Sequence, residues 1–133
     1  MIPTNRKKIV IVSPVLNDWD AFDKLLEQLG KLKESQLYEV EVVAVDDCSS
    51  EPGDIDSLNA RKGSLTHIRV VRLACNLGAM RAIAAGLVVA SKTPKIDAVI
   101  VMDSDGEDRP DDVRVHRSLR ITPAMAAGVS DRL

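Results

Sequence analysis

Apolar positions along this chain form short continuous runs, separated by stretches in which they recur every three or four residues. Lys8–Val12 is a β-branched run, and Pro14 predicts its end. Phe22, Leu25, Leu26, Leu29 and Leu32 then share one helical face, with Asn17 or Asp18 as the N-cap. Val40–Val45 predicts a second strand that runs into the polar turn Asp46-Asp47-Cys48-Ser49-Ser50. Glu51–Gly63 reads as a short helix with loops, and Ile68–Leu73 as a third strand. Met80, Ile83, Ala84, Leu87 and Val88 mark a helix that begins near Asn76–Gly78. Ala98–Met102 predicts a fourth strand, leading into Asp103-Ser104-Asp105-Gly106. Continuous rather than alternating apolar strands imply burial on both faces, so the pattern predicts an α/β fold. Its sheet is open and mostly parallel, with helices on both faces and right-handed crossovers. Met80 and Met102 are expected in the core, His67 and His116 on the surface.

Composition narrows the class. The 133 residues are 45% hydrophobic and carry a net charge of −2, with Trp19, Phe22 and Tyr38 as the aromatic residues. Near-neutral charge offers no electrostatic case for nucleic acid, and so few aromatics give no stacking platform for single strands. The longest apolar run, Ile83–Ala90, is far too short to span a membrane. No secretory leader pattern follows the basic start, so a cytoplasmic setting is expected. Cys48 and Cys75 are isolated and fit reduced thiols rather than a zinc site. Charge is uneven: residues 1–113 hold 14 basic and 19 acidic side chains, whereas residues 114–133 hold four Arg and one Asp.

In open α/β sheets the ligand crevice lies at the carboxyl ends of the strands. Here those ends carry Asn17 and Asp18, Asp46 and Asp47, Asn76 and Gly78, and the run Asp103 to Asp108. Two like charges about 4 Å apart repel by roughly 1 kcal/mol in water and about 4 at an effective dielectric of 20. A hard divalent cation held between carboxylates and a phosphate would relieve that repulsion. A bland alternative exists for each tip alone, since Asp at a strand end also caps the next helix. Two tips with paired acids exceed what capping requires, because one cap needs one oxygen.

These residues carry a resemblance to the family-two inverting glycosyltransferases of GT-A fold, a Rossmann-like nucleotide-binding architecture. Within them the chain is most similar to the polyprenyl-phosphate (dolichol-phosphate-type) mannosyl- and glucosyltransferases. Ile9–Asp18 resembles the opening strand that ends in P-x-Y/L-N-E, and Val42–Ser50 resembles the V-D-D-x-S segment. Leu73–Gly78 with Ala82, Gly86 and Leu87 resembles L-x-x-N-x-G-x-x-x-A-x-x-x-G-L, and Asp103–Asp112 resembles D-x-D-x-Q-x-x-P-E-D. The resemblance implies binding of a UDP-, GDP- or dTDP-linked sugar. Pro14, Val15, Asn17 and Asp18 would border base and ribose, and Asp46 would accept a hydrogen bond from the base. Asp47 would support the loop, Asn76 would fix the turn over the nucleotide, and Gly78 would let the backbone approach. Asp103, Ser104 and Asp105 would belong to the nucleotide-sugar site, with Asp103 facing the ribose or the metal. Asp103, Asp105 and Glu107 would ligate Mg²⁺ or Mn²⁺. The acceptor implied is a lipid phosphate or similar group, met at the cytoplasmic face of a membrane in full-length relatives. No catalytic base is assigned.

The family pattern extends over residues 8–113, and residues 1–113 are expected to form the nucleotide-sugar-binding half of the domain. Residues 114–133 read as an atypical basic tail outside the native fold, which predicts a truncated or frame-shifted product, with a natural short variant as the alternative. The Ala98–Met102 edge is then expected bare and prone to self-association. A catalytically inactive nucleotide-binding fragment is the alternative function. A D-x-D-G phosphatase with Asp103 as nucleophile is a further alternative, weakened because only 28 residues follow Asp105. A calcium loop fails, since Gly106 falls at its fourth rather than its sixth position and Arg114 occupies the acid at its twelfth.

Overall fold

The computed structural model describes residues 6–31, 37–60 and 63–103. The described elements run β1 (Lys8–Val15), α1 (Trp19–Lys31), β2 (Glu39–Asp46), α2 (Ile55–Ala60), β3 (His67–Arg72), α3 (Ala79–Ser91) and β4 (Ala98–Val101). All strand pairs are parallel and the sheet order is β3-β2-β1-β4. The expected α/β architecture with helices on both faces is therefore present. After β3 the chain crosses both inner strands to reach β4, which reverses the winding direction beside β1.

The first strand does not stop at Pro14 but continues to Val15, pairing Pro14 with Val45 and Val15 with Asp46. Alternation along the strand explains the tolerance. Val15 O accepts from Asp47 N–H on the β2 side, while Val12 O accepts from Met102 N–H on the β4 side. Pro14 shares the parity of Val12, so its missing donor falls on the β4 side, beyond the last β4 residue, Val101. Within Glu51–Gly63, expected as a short helix with loops, the helix is Ile55–Ala60, and Asp54 starts it: Asp54 O accepts from Leu58 N–H and Asp54 Oδ1 accepts from Asp56 and Ser57 N–H.

The two faces of the sheet are packed differently. One carries Ile9, Ile11, Val15, Val42, Ala44, Ile100 and Met102 against Phe22, Leu25, Leu26 and Leu29 of α1. Burying each of those large side chains stabilises the fold by about 1.5–3 kcal/mol. Met102, expected in the core, is 2% exposed. The other face carries Val10, Val12, Val43, Val45 and Val99 against Ala82 and Ala90 of α3. Here the expected helical stripe needs correction. Met80 is 82% exposed, and the residues fully buried in α3 are Ala82, Gly86 and Ala90. The physical reason is close approach, since small residues at i, i+4 and i+8 let the helix backbone settle onto the valine surface. At the amino end of the sheet, buried Glu41 lies 3.8 Å from Lys8 Nζ and 3.2 Å from Arg69 Nη2, tying three strands by charge.

A methyl group at Gly86 would collide with Val12 and come within 2.7 Å of Val45 Cγ2. Gly86→Ala should therefore destabilise the domain by about 1–3 kcal/mol, despite the roughly 1 kcal/mol that alanine gains in helix propensity. Urea unfolding would read this as a lowered midpoint. An unchanged or raised midpoint would show that α3 can ride outward at no cost.

Candidate functional site

The β1–α1 connection and the β2–α2 connection are stitched together at the carboxyl end of the sheet. Asn17 sits in the left-handed region at φ 57, so its side chain turns toward the neighbouring loop rather than the helix. Its N–H donates to Ser49 Oγ at 2.9 Å, and its Oδ1 accepts from Ser50 N–H at 2.8 Å. Trp19 Nε1 donates to Glu51 O at 3.0 Å, and its ring covers Gly53, where an added Cβ would lie 2.7 Å from the indole. Of the two N-cap candidates, Asp18 holds the position, since its carbonyl accepts from Phe22 N–H.

Asp46 and Asp47 are adjacent, buried, and point to opposite faces of the sheet. Asp46 Oδ1 accepts from Ser49 N–H at 2.8 Å, closing the turn after β2. Its Oδ2 meets Arg72 Nη1 at 3.4 Å, while Arg72 Nη2 donates to Ser49 O at 3.0 Å. Arg72 stands opposite Asp46 in register, as the last residue of the adjacent strand. Asp47 reaches the other way: Oδ1 accepts from Leu77 N–H at 2.7 Å and Oδ2 from Gly78 N–H at 3.0 Å. Asn76 Oδ1 shares the Gly78 N–H at 3.2 Å. Gly78 has φ 91, and a Cβ there would meet nothing within 4 Å, so glycine answers to the dihedral rather than to crowding.

A cleft of about 150 Å³ opens between these tips, lined by Pro14, Val15, Leu16, Asp18, Asp47, Ala79 and Asp103. It lies where the winding reverses between β1 and β4, the usual ligand crevice of a doubly wound sheet. Of the residues expected at the site, Pro14, Val15, Asp18, Asp47 and Asp103 line it. Asn17, Asp46, Asn76 and Gly78 stand behind it, shaping the loops. Ser104, Asp105 and Glu107 lie outside the described residues, as does His116. His67 and Arg81 are exposed.

Sequence reasoning missed Leu16 and Ala79 in the lining, and Trp19, Gly53 and Arg72 in the support. Strand counting could have found Arg72, because β2 and β3 end in register. Asp18, Asp47 and Asp103 put three carboxylates in the lining of one small cleft. Among the described residues no group of three acidic, His or Cys side chains is close enough to hold a metal ion. No helix among them is long and apolar enough to cross a membrane.

Asp47→Asn tests the loop support. The amide would set one NH₂ group against a backbone N–H, leaving a buried donor unmet at a cost of about 1–3 kcal/mol. Thermal unfolding should fall by several degrees, and the Leu77 and Gly78 amides should exchange faster with solvent. Unchanged exchange at those two amides would remove Asp47 from that role.

Solved structures of the same architecture include S. aureus TarS. The crystal structure of TarS 1-349 in complex with UDP matches with TM-score 0.53 and 24% identity, covering 74% of this chain and 27% of that one. The complex of TarS 1-349 with UDP-GlcNAc matches with TM-score 0.50 and 24% identity, over 74% and 26% of the two chains. A longer TarS structure matches with TM-score 0.55 and 25% identity, covering 81% of this chain and 19% of that one. The chain thus spans between a fifth and about a quarter of the length of these relatives. Their likeness concerns the fold. The glycosyl transferase family 2 model matches residues 10–117, most of the chain, and with that match the chain belongs to glycosyltransferase family 2.

Proposed function

We propose that this chain is the donor-binding part of a glycosyltransferase that moves a sugar from a nucleoside-diphosphate sugar to an acceptor. The observation that carries the reading is the cleft at the β1/β4 reversal, lined by Asp18, Asp47 and Asp103 from three separate parts of the chain. Family membership supports it, and the TarS complexes with UDP and UDP-GlcNAc make uridine nucleotides the first probes. Residues 1–113 would form this nucleotide half, with 114–133 as a tail beyond it.

The residues divide the work. Pro14, Val15 and Leu16 give the cleft an apolar wall, and Asp18 lines it beside the α1 start. Asp47 holds the Leu77–Gly78 turn, which keeps Ala79 at the rim. Asp46 would take an N–H of the base: although both its oxygens are engaged, each carboxylate oxygen has a further lone pair. Asp103 is a hard oxygen donor at the cleft, the chemistry that Mg²⁺ or Mn²⁺ requires. Asp103, Asp105 and Glu107 would hold the ion, with Ser104 beside them. A bound ion would supply neutralisation of the charge that develops on the departing diphosphate. A lipid-phosphate acceptor and the polyprenyl-phosphate subtype rest on the four sequence motifs alone. The inactive-fragment reading shares the nucleotide site and differs only in lacking turnover. Pairing of two copies along β4 belongs to the same proposal, since β4 bonds to β1 and ends the described sheet. A monodisperse monomer by sizing at tens of micromolar would remove that part.

Calorimetry with UDP should show binding that strengthens at least tenfold when Mn²⁺ is added. Asp103→Asn and Asp105→Asn should each reduce that gain. Equal affinity with and without metal would sink the metal assignment, and no heat with any nucleoside diphosphate would sink the donor reading. Slow Mn²⁺-dependent hydrolysis of UDP-GlcNAc would separate a competent half-site from an inactive one.

A further inference from the structure

The two cysteines, isolated in sequence, are brought together by the fold. Cys48 follows Asp47 and adopts φ 64, a conformation uncommon for a residue other than glycine. This turns its thiol out of the β2 tip and across to the β3–α3 connection, where Sγ donates to Ala74 O at 3.7 Å. Cys75 is the next residue and is exposed, while Cys48 is half-buried, and both thiols are free. The Ala74 carbonyl oxygen and the Cys75 Cα share one planar peptide unit, which places Cys48 Sγ within ~6.5 Å of the Cys75 Cα. Closing a disulfide from there requires the Cys75 side chain to turn toward Cys48 and the two sulfurs to approach to about 2.05 Å. The two segments are already registered by the Asp47 bonds to Leu77 and Gly78, so little chain entropy opposes closure.

We propose that Cys48 and Cys75 form an oxidative modification site, an intramolecular disulfide made by exchange with a small disulfide of the glutathione type. The exposed Cys75 thiolate attacks one sulfur of the small disulfide, forming a mixed disulfide and releasing one small thiol. The Cys48 thiolate then attacks Cys75 Sγ, forming the Cys48–Cys75 bond and releasing the second thiol. Two protein thiols are oxidised and one small disulfide is reduced to two thiols, so electrons and protons balance. The bond would pin the β2 tip to the segment that precedes α3, the same wall of the cleft that Asp47 holds. The site depends on the two cysteines and not on which nucleotide the cleft accepts.

The test is incubation of the whole chain with oxidised glutathione under native conditions, followed by intact mass and peptide mapping. The expected product has lost two hydrogens and carries a peptide that joins Cys48 to Cys75. Its melting temperature should rise by roughly 10 °C over the reduced chain. Cys48→Ser should instead stop at one glutathione, attached to Cys75, with no such rise. The native chain should also form the bond faster than the chain in urea, because the fold supplies the proximity. Stable addition of two glutathiones, a disulfide between two copies through Cys75, or equal rates with and without urea would each overturn the proposal.

Discussion

The carboxylate of Asp47 is the joint on which the functional end of this domain depends. It is buried at the tip of an inner strand, where an ionised group survives only if it is well bonded. The Leu77 and Gly78 amides supply those bonds, and the left-handed Gly78 lets both amides face the same carboxylate. One side chain thereby ties the β2 tip to the two residues that precede α3. Asp46 performs the mirror task on the opposite face, where Ser49 and Arg72 close the turn around it. The pair of acids is thus first a structural device, placing two loops on two sides of one strand tip.

Much of this was legible in the residues. Continuous valine and isoleucine runs announced strands buried on both faces, and the order of runs announced parallel pairing. The α1 face was readable because Phe22, Leu25, Leu26 and Leu29 are large and bury on one side. The α3 face was not, because periodicity weighs size, and the residues that touch the sheet are Ala82, Gly86 and Ala90. Met80 looked like a core residue for the same reason and is exposed. The fit of a small-residue helix depends on the shape of the valine surface beneath it, which no local pattern contains.

The site divides along a similar line. Acids at strand tips could be counted in the sequence, and their convergence followed from the topology. What could not be read was which acids face the opening and which are consumed in holding it. Asp18 and Asp103 line the cleft, Asp47 both lines it and holds the Leu77–Gly78 turn, and Asp46 and Asn17 serve the loops behind it. Trp19 over Gly53 escaped notice because the contact joins residues far apart in the chain and leaves no periodic trace.

Pro14 has an effect beyond its tolerance in β1. On the side facing β4, the ladder runs through Val12 and would next require a donor from position 14 to bond Met102 O. Proline has none, so the ladder loses that bond just past Val101, the last residue of β4. A missing hydrogen atom in the first strand thus falls beside the residue at which the fourth strand ends. Asp103 follows two residues later and lines the cleft with Pro14, so an imino acid nearly ninety positions upstream shares a wall with the carboxylate that follows the fourth strand.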